Sequence, residues 1–261
     1  SDTNKIVQYN LSTAYDLSSV ASNTILDITS HTSTAGAFGI IPTGISFNND
    51  GSKMFVIGRG AGTFALLFEY PLSGGGTVYD INDYDSTSIE GLFLQDSGAA
   101  FLQNPESIIF NPSGSSFYVI IADDQTIYEY TVSTNFDITS TVTQTQSFSV
   151  NSQESNPKGM TFNSDGTALF VIGEATNQVH QYALSTAYSV NGSCFTQSSA
   201  SISANDGSNN GLIFNNDGTK LFTVGDGNDS FYEYEIIIPV DPIDPPIPAS
   251  VTPRLLYNGP T

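Results

Sequence analysis

FNSDGTALFVIG, residues 162–173, is the stretch that decides the fold, because three further copies of it occur in the chain. The other copies are FNNDGSKMFVIG from Phe47, FNPSGSSFYVII from Phe110 and FNNDGTKLFTVG from Phe214. Successive copies begin 63, 52 and 52 residues apart. Self-similarity at a period of about 50 residues is typical of proteins built from stacked repeats.

Each copy has the pattern of a β-hairpin. One apolar run ends at the Phe, a polar turn follows, and a second apolar run leaves the turn. Glycine adopts positive φ without steric cost, and Asn or Asp side chains bond to their own backbone, so Asn-x-Asp-Gly is a turn with a physical mechanism. We interpret Asp50, Asp165 and Asp217 as turn residues, since Ser113 replaces the Asp in one copy. The alternative makes them calcium or sugar ligands.

Two more strands follow the hairpin in each repeat. A third apolar run ends at Tyr70, Tyr130, Tyr182 or Tyr234, and a Ser/Thr-rich run such as TVTQTQSFSV (141–150) comes next. Four short strands in about 50 residues make one propeller blade. The sequence therefore predicts an all-β chain, a β-propeller of about four four-stranded repeats. A ring of four blades is favoured, and a slice of a larger ring is the alternative.

The two ends of the chain bear on how the ring closes. In a closed four-blade ring, we expect residues 17–31 to complete the blade that contains residues 231–236 and so to cover its edge. Because the first residue is Ser rather than Met, we also expect a processed form or a fragment of a longer product.

A composition change marks a boundary near residue 238. Residues 239–253, PVDPIDPPIPASVTP, contain six of the twelve prolines, and proline at this density favours an extended polyproline II spacer. The apolar segment 254–257 is suited to docking on a neighbour. We predict a propeller over 1–238 and a proline-rich linker with a C-terminal docking segment over 239–261.

The charge balance excludes some partners. Six basic residues stand against 26 acidic ones, a net charge of −20, which excludes a cationic surface for nucleic acid or anionic membranes. Charged residues make up 12% of the chain, about half the usual share, so the surface is neutral and polar, as suits an exposed protein. No run of 18 apolar residues occurs. The single cysteine, Cys194, cannot form an internal disulfide, and we expect it in the core.

The main candidates for a binding site lie at the start of the inner strand, which is the first of the four strands in each repeat. The aligned positions are Thr43, Glu106, Lys158 and Asn210, which differ in every copy. We expect them to line the propeller axis, where such asymmetry suits a site for a metal ion or a sugar. The alternative is simple variation at a solvated rim.

Two acidic loops are candidates for calcium, which prefers several oxygen ligands. The candidate ligands are Asp80, Asn82, Asp83, Asp85, Asp226 and Asp229. Neither loop fits the EF-hand pattern, since Tyr84 stands at the fifth position from Asp80. The first loop belongs to a long excursion over 71–103. A loop held on a rigid scaffold is a common place for a binding site. The alternative is a longer solvated loop.

The third strands carry a recurring carboxylate at Glu69, Glu129 and Glu233, replaced by glutamine at Gln8 and Gln181. We interpret these residues as a ladder that bonds hydroxyls or backbone amides across strands, because third strands usually lie away from the axis. The alternative is a ring of ligands.

Nothing in the sequence points to nucleophilic catalysis. No GxSxG, HExxH, CxxC or P-loop pattern occurs. His180 fills a third-strand position that is aromatic in the other repeats, so it is interpreted as a packed side chain; the only other histidine is His31. We therefore predict no catalytic residues and no certain cofactor, with calcium as a candidate ion at the two acidic loops.

The string QSFSVNSQESNPKGMTFNSDGTALFVIGEATNQVHQYALSTAY, 146–188, resembles a repeat of predicted propellers in marine bacteriophages and on bacterial surfaces. It is similar, more loosely, to the YVTN-type repeats of surface-layer proteins. The LSTAY ending also occurs at 11–15, after Tyr9. The match covers nearly all of 1–238, and the matched positions are turn and core positions.

The resemblance implies an exposed structural or adhesive module, not an enzyme. It would belong to a phage virion, as a tail, fibre or capsid decoration, or to an extracellular or cell-surface assembly. It would contact other virion or surface proteins through 239–261 and a host glycan or protein receptor through its loops. The alternatives are a bacterial surface or filament adhesin and a metal-dependent extracellular propeller hydrolase or lactonase that uses Glu106 and Asn210.

Overall fold

Strands and turns make up almost all of the regular structure. The structure is a computed structural model that describes residues 4–29, 31, 39–72, 78–236 and 251–258. Its strands are β1 (Lys5–Leu11), β2 (Val20–Asp27), β3 (Ile41–Phe47), β4 (Lys53–Arg59), β5 (Ala65–Pro71), β6 (Glu90–Phe93), β7 (Pro105–Phe110), β8 (Ser116–Ile121), β9 (Thr126–Val132), β10 (Val142–Ser149), β11 (Pro157–Phe162), β12 (Ala168–Gly173), β13 (Val179–Ala183), β14 (Cys194–Ser198), β15 (Asn209–Phe214), β16 (Lys220–Gly225), β17 (Ser230–Ile236) and β18 (Val251–Asn258). Two short 3-10 helices span Leu17–Ser19 and Ala61–Thr63. Within the described ranges, no helix is long and apolar enough to cross a membrane.

The strands form four antiparallel sheets that follow the sequence repeat. Their strand orders are β3-β4-β5-β6, β7-β8-β9-β10, β11-β12-β13-β14 and β15-β16-β17-β18. Each sheet is a simple meander in which consecutive strands pair, as in a propeller blade. The predicted fold class, an all-β propeller of four four-stranded blades, is confirmed.

The hairpin turn at the start of each blade is built as its sequence predicts. The backbone N–H and hydroxyl of Thr167 both donate to Asp165 Oδ1, at 3.0 and 2.6 Å. Asn163 Oδ1 accepts the backbone N–H of Ala168 at 2.8 Å, and Gly166 has a φ of +71°. The Asn and Asp side chains thus bond the backbone of their own turn, and the Gly supplies the left-handed conformation.

The same bonds recur at Asp50 and Asp217, and they explain why these aspartates occur. Hydrogen bonds from Ser or Thr hydroxyls and from backbone amides lower the pKa of Asp50, Asp165 and Asp217 below the usual value. In the second copy, Ser113 bonds the hydroxyl of Ser115 at 2.8 Å instead. The interpretation of these residues as turn residues is confirmed.

The last blade is completed by a different strand from the one we expected. β18 pairs antiparallel with β17, from Ser230 opposite Asn258 to Ile236 opposite Val251. The N-terminal strands β1 and β2 form a two-stranded sheet of their own. The expectation that residues 17–31 complete this blade was therefore wrong, because part of the proposed docking segment fills that place. Residues 237–250, most of the predicted linker, lie outside the described residues.

The chain divides into two compact units, Ser1–Asn10 with Val20–Ser149, and Leu11–Ser19 with Val150–Thr261. In the first unit, apolar side chains of blades one and two form a shared cluster around Phe55, Phe117 and Val119. A second cluster in this unit joins Leu26 and Ile28 to blade one. In the second unit, blades three and four share a cluster that includes Ile172 and Leu212. Face-to-face packing of adjacent blades thus supplies the core within each unit.

Candidate functional site

The four candidate residues at the starts of the inner strands occupy equivalent and unusual backbone positions. The pairing of each inner strand with its neighbour shifts register between Pro42 and Gly44, between Pro105 and Ser107, between Pro157 and Gly159, and between Asn209 and Gly211. Thr43, Glu106, Lys158 and Asn210 are the residues skipped by these shifts, and all four are half-buried. β-Bulges of this kind re-aim a side chain and are common beside functional sites.

The bulges bring the candidates together in pairs within each unit. A Cβ added to Gly44 would lie 2.9 Å from Ser107 Cα, and one added to Gly159 would lie 2.9 Å from Gly211 Cα. This close approach of neighbouring inner strands places Thr43 beside Glu106 in the first unit and Lys158 beside Asn210 in the second. A side chain at Gly44 or Gly159 would collide with the backbone of the neighbouring inner strand, which explains glycine at these two positions, while Ser107 follows the bulge of blade two.

The two pairs offer different chemistry. Thr43 Oγ1 donates to the Pro105 carbonyl oxygen at 2.8 Å, so its hydroxyl is engaged in joining β3 to β7. Glu106 contributes a carboxylate to the first unit, whereas Lys158 and Asn210 contribute hydrogen-bond donors to the second. The role of these residues in binding stays a prediction.

The calcium candidates of the long excursion are engaged in turns. Asp80 Oδ1 accepts the N–H of Asn82 at 2.9 Å. Asp85 Oδ1 accepts the N–H and hydroxyl of Thr87, at 2.9 and 2.7 Å, and its Oδ2 accepts the Ser88 hydroxyl at 2.7 Å. These hydroxyl and amide bonds lower the pKa of Asp85. Part of the excursion is also anchored, since Ile81 and Ile89 are buried in the core of blade one.

The second candidate loop presents its acids on the surface. Asp226 and Asp229 are exposed, and Asp229 has a positive φ of 48°. In the part of the chain that the structure describes, no three His, Cys, Asp or Glu residues are grouped as a metal site would require. Calcium binding at either loop stays a prediction.

Two buried carboxylates, which sequence analysis missed, organise the loops of blades three and four. Glu154 is fully buried and accepts backbone N–H groups of Asn156, Ala175 and Thr176 at 2.9–3.1 Å. Asp206 is also fully buried and accepts N–H groups of Ser208, Gly227 and Asn228 at 2.8–3.2 Å. Each carboxylate therefore bonds a residue just before the inner strand and residues in the loop that follows the second strand of the same blade.

The spacing of these two acids is a signal that could have found them. Glu154 and Asp206 each lie three residues before the first residue of an inner strand, Pro157 and Asn209, and are one repeat of 52 residues apart. Burial alone would raise the pKa of Glu154, but interactions with His180, Thr176 and backbone amides outweigh it and lower the pKa from 4.5 to about 2. The side chain is therefore an anion at neutral pH.

The third-strand carboxylates form ion pairs and hydrogen bonds within blades and between neighbouring blades. Glu69 Oε1 lies 2.6 Å from Lys53 Nζ, and Glu69 Oε2 accepts the backbone N–H of Ile138 at 3.0 Å. Lys53 Nζ also donates to the Phe136 carbonyl oxygen at 2.8 Å, so this pair links blade one to blade two. In blade four, Glu233 pairs with Lys220 at 2.7 Å. Glu69 does bond a backbone amide, but that amide belongs to the next blade, and the closest partner of Glu69 and of Glu233 is a lysine, which the ladder interpretation did not include.

A continuous chain of hydrogen bonds runs from Glu154 to the outer strand of blade three. Thr176 Oγ1 donates to Glu154 Oε2 at 2.7 Å and lies 2.8 Å from His180 Nε2. His180 Nδ1 lies 2.7 Å from Ser198 Oγ. His180 is 2% exposed, which agrees with the packed side chain that the sequence predicts. Glu154 Oε2 and His180 Nε2 are 3.8 Å apart, too far for a direct hydrogen bond.

The other histidine belongs to an aromatic cluster in blade one. His31 Nε2 lies 2.9 Å from the Tyr84 hydroxyl, and the His31 and Tyr70 ring centroids are 5.7 Å apart. Tyr70 OH and His31 Nδ1 are buried and have no hydrogen-bond partner among the described residues. Burial lowers the pKa of His31 and raises that of Tyr70.

Cys194 does not lie in the core. It is exposed at the start of β14, the outer strand of blade three, where residues 194–197 all face solvent. The expectation of a core cysteine was wrong because the outer strand of a blade buries little of its surface.

Comparison with known proteins identifies structures with a similar fold but does not show an activity. No known family model matches the sequence, and no curated protein is significantly similar to it. A candidate 6-phosphogluconolactonase from Bacteroides fragilis is 14% identical with a TM-score of 0.52, over 95% of this chain and 80% of that chain. A second such candidate, from Bacteroides uniformis, is 10% identical with a TM-score of 0.50, over 97% and 82%.

Other similar structures are longer than this chain. The periplasmic gluconolactonase PpgL of Pseudomonas aeruginosa is 13% identical with a TM-score of 0.49, over 85% of this chain and 58% of that one. The chain spans only 58–63% of the length of PpgL and two further similar structures. At these identities, the likeness shows the fold alone.

Proposed function

We propose that this chain is an exposed propeller module whose main role is non-enzymatic, as a rigid platform for display or receptor binding. The observation that carries the proposal is the use of the repeated acids in the scaffold. Asp165 and its equivalents close turns, Glu69 joins two blades, and Glu154 and Asp206 hold loops through backbone amides. These contacts fix the loops on rigid blades, which is what a recognition platform requires.

The surface composition supports an exposed setting. Only 12% of the residues are charged, and most of the polar residues are Ser, Thr and Asn. The outer strand β10 illustrates this, since Thr143, Thr145, Ser147 and Ser149 are exposed along it. The resemblance of the repeat to phage and bacterial surface propellers suggests a virion or a cell surface as the location. The partners would be neighbouring surface proteins, contacted through 239–261, and a host glycan or protein receptor.

Labelling of Cys194 tests the exposed setting. This residue is the only cysteine and is exposed, so a membrane-impermeant maleimide should label the protein on intact particles or cells. The Cys194→Ser variant, made in the same host, is the matched control and should take up no label. Labelling that appears only after lysis would refute the surface location.

A second candidate function is that of a propeller lactonase. It is favoured by the fold likeness to the two Bacteroides structures described as 6-phosphogluconolactonase candidates. In this case Glu106 would hold a divalent ion, since it contributes a carboxylate at a bulge. Hydrolysis of 6-phosphogluconolactone is measured with and without a chelator, comparing Glu106→Ala with the exposed-site control Glu235→Ala. Turnover that is lost in Glu106→Ala alone would overturn the non-enzymatic proposal.

A further inference from the structure

The hydrogen-bond chain of blade three has a fixed direction. Glu154 is ionised at neutral pH, because its pKa is lowered to about 2, and an ionised carboxylate only accepts hydrogen bonds. The Thr176 hydroxyl therefore gives its single proton to Glu154 Oε2, at 2.7 Å. The Thr176 oxygen, 2.8 Å from His180 Nε2, can then only accept, so Nε2–H is the donor of this hydrogen bond.

In an imidazole that carries a single N–H, this bond leaves a lone pair on His180 Nδ1. The Ser198 hydroxyl, 2.7 Å away, donates its proton to that lone pair. A serine hydroxyl bonded to a neutral imidazole, which is oriented in turn by a third group, is the arrangement that activates a nucleophile. The carboxylate 3.8 Å from Nε2 stabilises the imidazolium that forms when the proton moves.

Ser198 lies at the boundary between the exposed outer strand and the buried His180. Ser198 is half-buried at the end of β14, after four exposed residues. The Phe195 ring is 40% exposed and its centroid lies 6.4 Å from that of His180. An apolar group can therefore rest on Phe195 beside the serine. No other blade has this arrangement at the aligned positions, which are Phe68, Tyr128 and Tyr232 in place of His180.

We propose that Ser198 is an activated nucleophile that accepts acyl groups from small apolar esters, an activity beyond the proposed display function. Ser198 Oγ bonds to the ester carbonyl carbon while its proton passes to His180 Nδ1. The bond from that carbon to the alcohol oxygen breaks, and the alcohol takes the proton from His180. Water then repeats the sequence and frees the acid. Thr176 and Glu154 act as positioning residues, because they fix the tautomer of His180.

The test uses an alkyl fluorophosphonate probe on the full-length protein. Ser198 Oγ bonds to phosphorus, the P–F bond breaks, and the proton leaves with fluoride through His180. Because general-base assistance contributes about 100-fold or more, we expect Ser198 to be labelled at least ~100-fold faster than other serines. Mass spectrometry of peptides locates the adduct, and p-nitrophenyl acetate hydrolysis gives a second rate.

Matched variants separate the chemistry from folding. His180→Phe, the residue of blade one at this position, should lower the labelling rate about 100-fold, and Ser198→Ala should abolish it. Ser199→Ala, next in the chain, should label normally. Thr176→Val should slow labelling while Thr176→Ser restores it, which loss of structure alone would not produce. Circular dichroism confirms that each variant is folded.

Labelling spread equally over many serines, or unchanged in folded His180→Phe, would overturn the proposal. Neither result would affect the surface location, since Cys194 labelling reports that separately.

Discussion

Replacement of Glu154 by glutamine should remove most of the stabilisation that this buried anion provides. Its carboxylate is fully buried and accepts three backbone N–H groups and the Thr176 hydroxyl. The pKa falls from an ordinary 4.5 to about 2 in the folded state. At about 1.36 kcal/mol for each pKa unit, this corresponds to roughly 3 kcal/mol of stability at neutral pH.

The sign of the pH dependence follows from the lowered pKa. A carboxyl group with a depressed folded-state pKa stabilises the fold fully above its unfolded pKa, near 4.5, and loses that contribution as the pH falls through about 2. Glu154→Gln removes the titration, so the gap between wild type and variant should shrink on acidification. We expect a difference in unfolding free energy of about 3 kcal/mol at pH 7 and about 1 kcal/mol at pH 3.

Urea unfolding, followed by far-ultraviolet circular dichroism and tyrosine fluorescence, measures this difference. The chain contains 13 tyrosines and no tryptophan, so the tyrosine signal reports on all four blades. The control is Glu235→Gln at an exposed position, which should change the unfolding free energy by less than about 0.5 kcal/mol. A gap for Glu154→Gln that is the same at pH 7 and pH 3 would refute the assignment of Glu154 as a buried anion.

Two further comparisons use one blade as the control for another. Tyr130→Phe should cost about 1 kcal/mol in urea unfolding, because the Tyr130 hydroxyl donates to a backbone carbonyl at 2.8 Å. Tyr70→Phe should cost less, since the Tyr70 hydroxyl is buried without a partner among the described residues; an equal cost would contradict this. Gly166→Ala should lower the melting temperature more than Gly218→Ala. Both glycines have a φ of +71°, but only at Gly166 would the new Cβ collide with the ring of Tyr188, so equal losses would contradict the model of the turn.

The repeat made the blades predictable from sequence because blade formation depends on local pairing. Strands one, two and three are joined by short turns whose residues carry their own geometry, as at Asp165 and Gly166. Four strands for each repeat therefore followed from spacing alone. The closing strand of blade four was not predictable in this way, because β18 begins inside the proline-rich segment, which reads as an extended spacer rather than as a blade strand.

The buried acids show why the site was harder to predict than the fold. The partners of Glu154 lie at 156 and again at 175–176, so the bonds depend on which loops meet in three dimensions. His180 was correctly interpreted as packed, but its contact with Ser198 depends on strand register across β13 and β14. Alignment of the repeats singled out Thr43, Glu106, Lys158 and Asn210 but did not predict that they lie at β-bulges, and their role in binding stays a prediction.

The most direct test of the display function is a structure of the native assembly by electron microscopy, at a resolution that shows side chains and ions. The account predicts protein from a neighbouring subunit or receptor against the loops or the 239–261 segment, with no divalent ion on Glu106. A divalent ion held by Glu106, with an open coordination position, would contradict it and favour the metal-dependent lactonase.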